Sequence, residues 1–159
     1  MSGQLYTRAG DDGFTGLLGE GRVAKYMPQP EAYGTVDEAS AAMGIAQLAS
    51  TQQVAEKFRA IDAARVAWLE GETDAVTALI ELPKEFVVPG DTLSGAYLDL
   101  ARTIVRRAER IVVRLVHDGL VENVELVRYL NRLSSLLFVL GLYEAALAGV
   151  KTITLAKAP

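Results

Sequence analysis

Five arginines lie within one stretch of the chain and could together bind an anion. Arg102, Arg106, Arg110 and Arg114 recur at every fourth position, and Arg107 lies beside them. A step of four residues on a helix turns by about 40°, so the five guanidinium groups, the arginine row, share one side. Guanidinium groups are planar, forked donors that suit carboxylate and phosphate oxygens. Two interpretations stay open: a row that faces water, or a row that meets anions from elsewhere in the chain or from a ligand.

An apolar stripe runs along the same stretch, which we predict to be a helix over about 98–119. Its residues recur at steps of three and four, so they share one face, which we expect to be core. They are Leu98, Ala101, Ile104, Val105, Ala108, Ile111, Val112 and Leu115. His117 and Gly119 are typical of a helix C-terminus.

Because His117 is the only histidine and cysteine is absent, we predict no metal site of protein ligands.

The glycine-rich segment 5–27 is a second candidate for anion binding. Glycines let the backbone approach a ligand and turn its N–H groups inward, and Arg8, Arg22 and Lys25 add positive charge. The segment is not a Walker A loop, since no Gly-Lys-Ser/Thr sequence opens a helix. A phosphate cradle and a flexible arm both stay open.

A helix is predicted over about 36–50, because Thr35 and Glu38 match a capping box. Asp37 and Glu38 either favour the positive end of the helix dipole or supply a counter-charge for the arginine row.

Two further helices are predicted before the arginines. One covers about 52–70 and ends at Gly71, and a short one covers 73–82 and ends at Pro83. The expected core residues of the longer helix are Val54, Phe58, Ile61 and Trp68.

An apolar loop follows from Lys84 to Asp91. Its Phe86 either plugs the end of the bundle or lines a pocket for a large apolar ligand, and the residues alone favour the plug.

The last predicted helix covers about 122–147. Its leucine seam consists of Leu126, Leu130, Leu133, Leu137 and Leu140. Asn131 would be costly to bury without a partner, so it either contacts a ligand or the arginines, or makes a structural hydrogen bond. The apolar run 133–150 approaches membrane-spanning length. Glu144 and two serines interrupt it, which favours a buried helix in an oligomer over a membrane span.

Composition favours a single domain over residues 1–159. Lysine and arginine number 16 against 20 aspartates and glutamates, for a net charge of −4. We therefore expect no nucleic-acid partner and no membrane association. The absence of cysteine is compatible with a cytoplasmic protein.

Three blocks together resemble the PduO-type ATP:cob(I)alamin adenosyltransferase family. They are YTRAGDDGFTGLLGEGRVAK, EAYGTVDEASAAMG, and FVVPGD…ARTIVRRAER…YLNRLSSLLFVL, within residues 5–48 and 85–142. The resemblance implies an all-α fold: a five-helix bundle with four core helices and a short one, a glycine-rich nucleotide-binding loop, and assembly as a homotrimer. It also implies transfer of the adenosyl group of ATP, bound with Mg²⁺, to the cobalt of cob(I)alamin.

The resemblance implies a site shared between subunits. One subunit would hold ATP through Thr7, Arg8, Ala9, Gly10, Thr15, Gly16 and Lys25. The neighbouring subunit would complete the site through Arg106, Arg107, Glu109, Arg110 and Asn131.

The resemblance also implies a corrinoid site. Asp37 and Arg102 would form a salt bridge across the subunit interface. Phe86 would lie beneath the corrin ring and displace its lower ligand, which reverses the plug interpretation. A cob(II)alamin reductase and an adenosylcobalamin-dependent enzyme are the expected protein partners.

The chain departs from the family pattern at several positions. Asp12 and Phe14 stand where lysine and threonine are common, Asp91 where glycine is common, and Ser135 where aspartate is common. The region 51–84 is also short. These differences keep open a non-catalytic carrier or sensor of ATP or adenosylcobalamin, and a purely structural oligomer whose arginines are paired internally.

Overall fold

The computed structural model describes residues 10–16, 21–49 and 61–156, and at position 39 and positions 42–49 it describes only the backbone. Within these ranges lie four α-helices and one two-stranded sheet. The strands are β1 (Phe14–Gly16) and β2 (Arg22–Ala24). The helices are α1 (Pro28–Ala49), α2 (Ala63–Thr77), α3 (Leu93–His117) and α4 (Glu125–Leu147). The mainly helical class is confirmed, whereas the small sheet was not predicted.

Helix α3 is the arginine helix, and it packs against both α1 and α4. Its apolar stripe is the core face, as predicted: Ala101, Val105 and Ala108 have no exposed surface. The helix begins before the predicted residue 98, because the Thr92 side chain accepts a hydrogen bond from the Gly95 amide at 3.0 Å and so caps the N-terminus. Gly119 follows the helix with φ +70°, a left-handed conformation that favours glycine and ends the helix as predicted.

Helix α1 begins at Pro28 rather than at residue 36. Proline is well tolerated in a first helical turn, where the N–H group has no partner within the helix. The predicted capping box is therefore wrong. Thr35 is buried within the helix and donates its hydroxyl to the Glu31 carbonyl at 2.8 Å.

Helix α2 corrects the prediction of two helices divided at Gly71. Gly71 lies inside α2, which begins after the N-cap Asp62 and runs to Thr77, so no separate helix covers 73–82. An exposed glycine inside a helix costs only about 1 kcal/mol, which packing against α4 can offset. Trp68 is 51% exposed and is not core, whereas its neighbour Leu69 is 1% exposed. The predicted core residues Val54 and Phe58 lie outside the described residues.

Helix α4 begins at Glu125, after the predicted residue 122, because the Asn123 side chain accepts a hydrogen bond from the Glu125 amide at 3.0 Å. It is long and apolar enough to cross a membrane by composition alone. However, it packs between α2 and α3 and buries, among others, Leu133, Leu137 and Leu142. The core covers 44% of its most apolar window, so packing within the chain accounts for part of its apolar character.

We expect Leu69→Ala to lower the free energy of unfolding by about 2–5 kcal/mol, because it leaves a cavity between α2 and α4. Leu79→Ala, which truncates a leucine that is 64% exposed, is the matched control and should change stability by less than about 0.5 kcal/mol. Urea denaturation at one protein concentration measures both. Equal losses in the two variants would contradict this assignment of the core.

Candidate functional site

The structure divides the arginine row into paired and unpaired members. Arg102 binds Asp99 on the same helix at 2.6 Å, and Arg107 forms an ion pair with Glu38 of α1. Glu38 therefore supplies one of the counter-charges that the sequence led us to expect. Arg114 lies 3.6 Å from Asp118 in an exposed and weak pair.

Arg106 and Arg110 are exposed and have no carboxylate partner in the described part of the chain. Arg110 donates one hydrogen bond, at 3.1 Å, to the backbone carbonyl of Arg106. Two guanidinium groups of the row therefore have donors directed to solvent and available to an anion.

A network of polar contacts lies beside these two arginines and joins α2, α3 and α4. Asn131 donates to the Glu109 carboxylate at 2.9 Å, and its side-chain oxygen accepts from Arg132 at 2.7 Å. Arg132 also binds Glu70 of α2 at 2.8 Å. The structural hydrogen bonds considered for Asn131 therefore exist. They fix the orientation of Glu109 and Asn131 next to Arg106 and Arg110.

The glycine-rich segment forms an antiparallel ribbon, residues 10–16 and 21–25, in which Thr15 pairs with Val23 and Gly16 with Arg22. Lys25 donates its ammonium group to the Gly10 carbonyl at 2.7 Å. A methyl group added at Gly10 would lie 2.7 Å from that ammonium nitrogen, so glycine permits this close approach. Thr7, Arg8 and Ala9 lie outside the described residues.

Two departures from the family pattern, Asp12 and Phe14, both contact Arg22. The Asp12 carboxylate accepts from both terminal nitrogens of Arg22 at 2.7 Å and from the Phe14 amide at 3.1 Å. The guanidinium carbon also lies 6.0 Å from the centre of the Phe14 ring. The hydrogen bonds from Arg22, followed by the one from the Phe14 amide, lower the pKa of Asp12, and the hydrogen bonds to Asp12 raise the pKa of Arg22.

In the described part of the chain, the ribbon and the arginine row make no polar contact with each other. Among residues 10–16, 21–49 and 61–156, no hydrogen bond or ion pair joins them. Asp37 and Arg102 are likewise not paired: Arg102 binds Asp99, and Asp37 is exposed without an ion pair to any residue in those ranges.

A cavity of about 210 Å³ lies where the apolar loop meets α3 and α4. Its wall includes Asp99 and Arg102 on one side and Phe138 on another. Gly95 and Gly141 let the two helices approach closely there, since a Cβ at Gly95 would lie 3.4 Å from the Gly141 carbonyl oxygen. Phe86 also lines the cavity but is 87% exposed. The interpretation of Phe86 as a plug is therefore wrong.

The C-terminal residues 153–156, for which the sequence predicts no structure, lie against this loop. Val87 and Leu155 form an antiparallel bridge. The side chain of Asp91 accepts two hydrogen bonds from Thr154. No local pattern predicts this contact, because the two residues are 63 positions apart. The Asp99–Arg102 pair, by contrast, has the three-residue spacing of neighbours on a helix and could have been found from the sequence.

The fold and the site together define a helical protein in which two exposed arginines, without a carboxylate partner among the described residues, lie on the same helix as one wall of a mixed polar and apolar cavity. Comparison with known proteins gives the family. The cobalamin adenosyltransferase family model matches residues 5–64 and 45–144. The corrinoid adenosyltransferase of Mycobacterium tuberculosis is 40% identical over 168 residues, which cover 87% of this chain and 86% of that protein. The corrinoid adenosyltransferase PduO of Salmonella typhimurium is 36% identical over 166 residues, which cover 88% of this chain.

The chain spans about half, 49%, of the length of that PduO protein. Among solved structures, a phenylalanine-to-alanine variant of the PduO-type ATP:corrinoid adenosyltransferase from Lactobacillus reuteri, complexed with cobalamin and ATP, matches with a TM-score of 0.85 at 26% identity. The match covers 98% of this chain and all of that chain. The chain belongs to the cobalamin adenosyltransferase family, and the family predicted from the three sequence blocks is confirmed.

The Asp12–Arg22 pair gives a pH prediction. Since the folded-state pKa of Asp12 is lowered, the pair contributes fully above the ordinary carboxyl pKa of about 3.9 and is lost as the pH falls through the lowered value. We expect Arg22→Gln to raise the Asp12 titration midpoint toward the ordinary value, as followed by NMR of the carboxyl carbon. Arg128→Gln, which removes a separate exposed pair with Glu125, should leave it unchanged. An ordinary midpoint in the unaltered protein would contradict the pairing.

Proposed function

We propose that this chain transfers the 5′-deoxyadenosyl group of ATP to the cobalt of reduced cobalamin, forming adenosylcobalamin and releasing triphosphate. The family, and solved relatives complexed with cobalamin and ATP, support this activity. The observation that carries the proposal is the position of the two unpaired arginines. Arg106 and Arg110 follow the cavity-lining Arg102 on one helix, about 6 and 12 Å along its axis. An anionic nucleotide and an apolar ring could therefore bind side by side.

The charge of the leaving group explains why arginines would be needed. The electron pair on cobalt forms the bond to the 5′ carbon of ATP, and the carbon–oxygen bond breaks and releases triphosphate. Donors fixed where that negative charge accumulates stabilise the transition state. Arg106 and Arg110 supply the donors, while Glu109 and Asn131 hold each other in place. No group of three or more possible metal ligands occurs in the part of the chain that the structure describes. Mg²⁺ would therefore enter with the phosphates of ATP as part of the substrate.

The cavity is the proposed corrinoid site. The exposed ring of Phe86 lies at its rim, where it would contact the lower face of the corrin and displace the lower ligand of cobalt. The four-coordinate cobalt(II) that results is easier to reduce to the attacking cobalt(I). Arg102 lines the same cavity. Its positive charge would contribute to binding of the corrinoid there.

The complete site would need two copies of the chain, within a cytoplasmic homotrimer. Thr7, Arg8, Ala9, Gly10, Thr15, Gly16 and Lys25 of one copy would hold ATP against Arg106, Arg107, Glu109, Arg110 and Asn131 of its neighbour. This arrangement is supported by the lack of a hydrogen bond or ion pair between ribbon and row among the described residues of one chain. Asp37, which is exposed, would reach Arg102 of a neighbour. Leu93 and Leu100 of α3 are 70% and 48% exposed and could be covered by that neighbour.

The non-catalytic carrier or sensor is a second candidate, and the ribbon favours it. Asp12 binds Arg22, and the Gly10 carbonyl binds Lys25, so both described cations of the ribbon already have partners. Incubation with ATP and chemically reduced cobalamin distinguishes the two. ATP binding without formation of the adenosyl product would favour the carrier.

Arg106→Ala should weaken ATP binding about 10- to 150-fold, the loss of about 1.5–3 kcal/mol expected for a charge-assisted hydrogen bond. Arg114→Ala, which removes an exposed arginine of the same row, is the matched control and should bind ATP nearly normally. Isothermal titration measures both affinities, and circular dichroism checks the fold. Unchanged ATP affinity and turnover in Arg106→Ala would remove this residue from the site.

Phe86→Ala should slow reduction of bound cob(II)alamin and lower the four-coordinate signal of cobalt(II) in electron paramagnetic resonance, while ATP affinity stays the same. Leu82→Ala, a truncation of another exposed apolar residue close by in the chain, should leave both properties intact. Weaker ATP binding with normal reduction would instead show that Phe86 does not act on the corrinoid.

A further inference from the structure

Within the described residues, positions 153–156 make the only non-local backbone hydrogen bonds of the loop that carries Phe86. The amide of Val88 donates to the Thr154 carbonyl at 2.8 Å, and the amide of Ala156 donates to the carbonyl of Phe86 itself at 2.7 Å. Between Ile80 and Thr92, no other backbone hydrogen bond joins this loop to another part of the described chain. Ordering a loop residue costs about 1–2 kcal/mol. The backbone at Phe86 therefore depends on the C-terminal segment for its restraint.

Asp91 and Thr154 form a second contact between the C-terminal segment and the loop that carries Phe86. The Asp91 carboxylate accepts from the Thr154 amide at 2.9 Å and from the Thr154 hydroxyl at 2.6 Å, so each carboxylate oxygen has one donor. Both hydrogen bonds lower the pKa of Asp91, the hydroxyl contributing most, so the carboxylate is ionised at neutral pH. Charge-assisted hydrogen bonds of this kind are roughly twice as strong as neutral ones.

The turn between these contacts fixes the loop to the start of α3. Gly90 has φ +123°, a conformation that side chains rarely allow, and it turns the chain so that Asp91 faces the C-terminal segment. Asp91 directly precedes Thr92, the N-cap of α3. The C-terminal segment is thus tied at one end to Phe86 and at the other to the helix that carries the arginine row.

We propose that residues 153–156 are a positioning element for Phe86, held in place by the Asp91–Thr154 contact. Asp91 and Thr154 are positioning residues: they act on the corrinoid through the Phe86 loop rather than by touching the reacting atoms. This inference rests on the proposed function, because it assigns to Phe86 the contact with the corrin. It gives a role to a segment that lies outside the residues matched by the family model.

The test compares two substitutions at position 154. Thr154→Val keeps the shape and the backbone amide but removes the hydroxyl donor, whereas Thr154→Ser keeps both donors. Starting from cob(II)alamin and reductant, Thr154→Val should lower kcat for adenosyl transfer about tenfold, as expected for loss of one hydrogen bond to a charged group. The KM for ATP should not change. Thr154→Ser should behave like the unaltered protein.

Two further measurements separate positioning of Phe86 from general loss of structure. In Thr154→Val the amide protons of Val88 and Ala156 should exchange faster with solvent, while those of buried core residues exchange as before. In a Phe86→Ala background, Thr154→Val should cause no additional loss of kcat, since residues that act through one another are not additive. Independent, multiplicative losses, or unchanged exchange at these two amides, would overturn the inference.

The outcomes also separate this inference from the proposed function. If the unaltered protein forms no adenosylcobalamin from ATP and cob(I)alamin, the proposed activity fails, and the positioning role fails with it. If Phe86→Ala impairs transfer and Thr154→Val does not, the activity stands and only the inference fails.

Discussion

The close packing of α3 between α1 and α4 is the constraint on which the other features depend. Ala101, Val105 and Ala108 are fully buried, and their small side chains let neighbouring helices approach that face. Once this face is fixed against the core, the opposite face is fixed as well, because a helix is rigid about its axis. The direction of the arginine row is thus determined by apolar packing. No further structural element is needed to orient the arginine side chains.

This arrangement has an electrostatic cost that the chain offsets only in part. Like charges four residues apart on a helix repel by a few tenths of a kcal/mol per pair. Acidic side chains from α3, α1 and the end of α3 pair with Arg102, Arg107 and Arg114. Arg106 and Arg110 keep their charge uncompensated by any described carboxylate. Local departures from electrostatic optimality of this kind are expected where a protein binds a ligand.

Features that depend on local spacing could be predicted, and features that depend on distant contacts could not. The apolar stripe and C-terminal glycine of α3 have the strict periodicity and end signals of a helix, so the prediction agreed with the structure. The start of α1 and the division at Gly71 were wrong, because prolines in a first turn are compatible with a helix and packing on α4 outweighs one glycine. The Asp91–Thr154 contact joins residues 63 positions apart. Only the folded chain brings them together.

The volume of the cavity limits how much of a ligand one chain can enclose. At about 210 Å³ it is smaller than the roughly 300–1,000 Å³ of sites that enclose a small molecule. A corrin ring would therefore rest over this cavity with much of its surface outside it, and Phe86, which is mostly exposed, is suited to a contact at such an open surface. Among the described residues of a single chain, no hydrogen bond or ion pair joins the ribbon to the arginine row. Both observations agree with the proposed shared site, in which each chain would offer only part of the binding surface for either substrate and a neighbouring copy would supply the remainder.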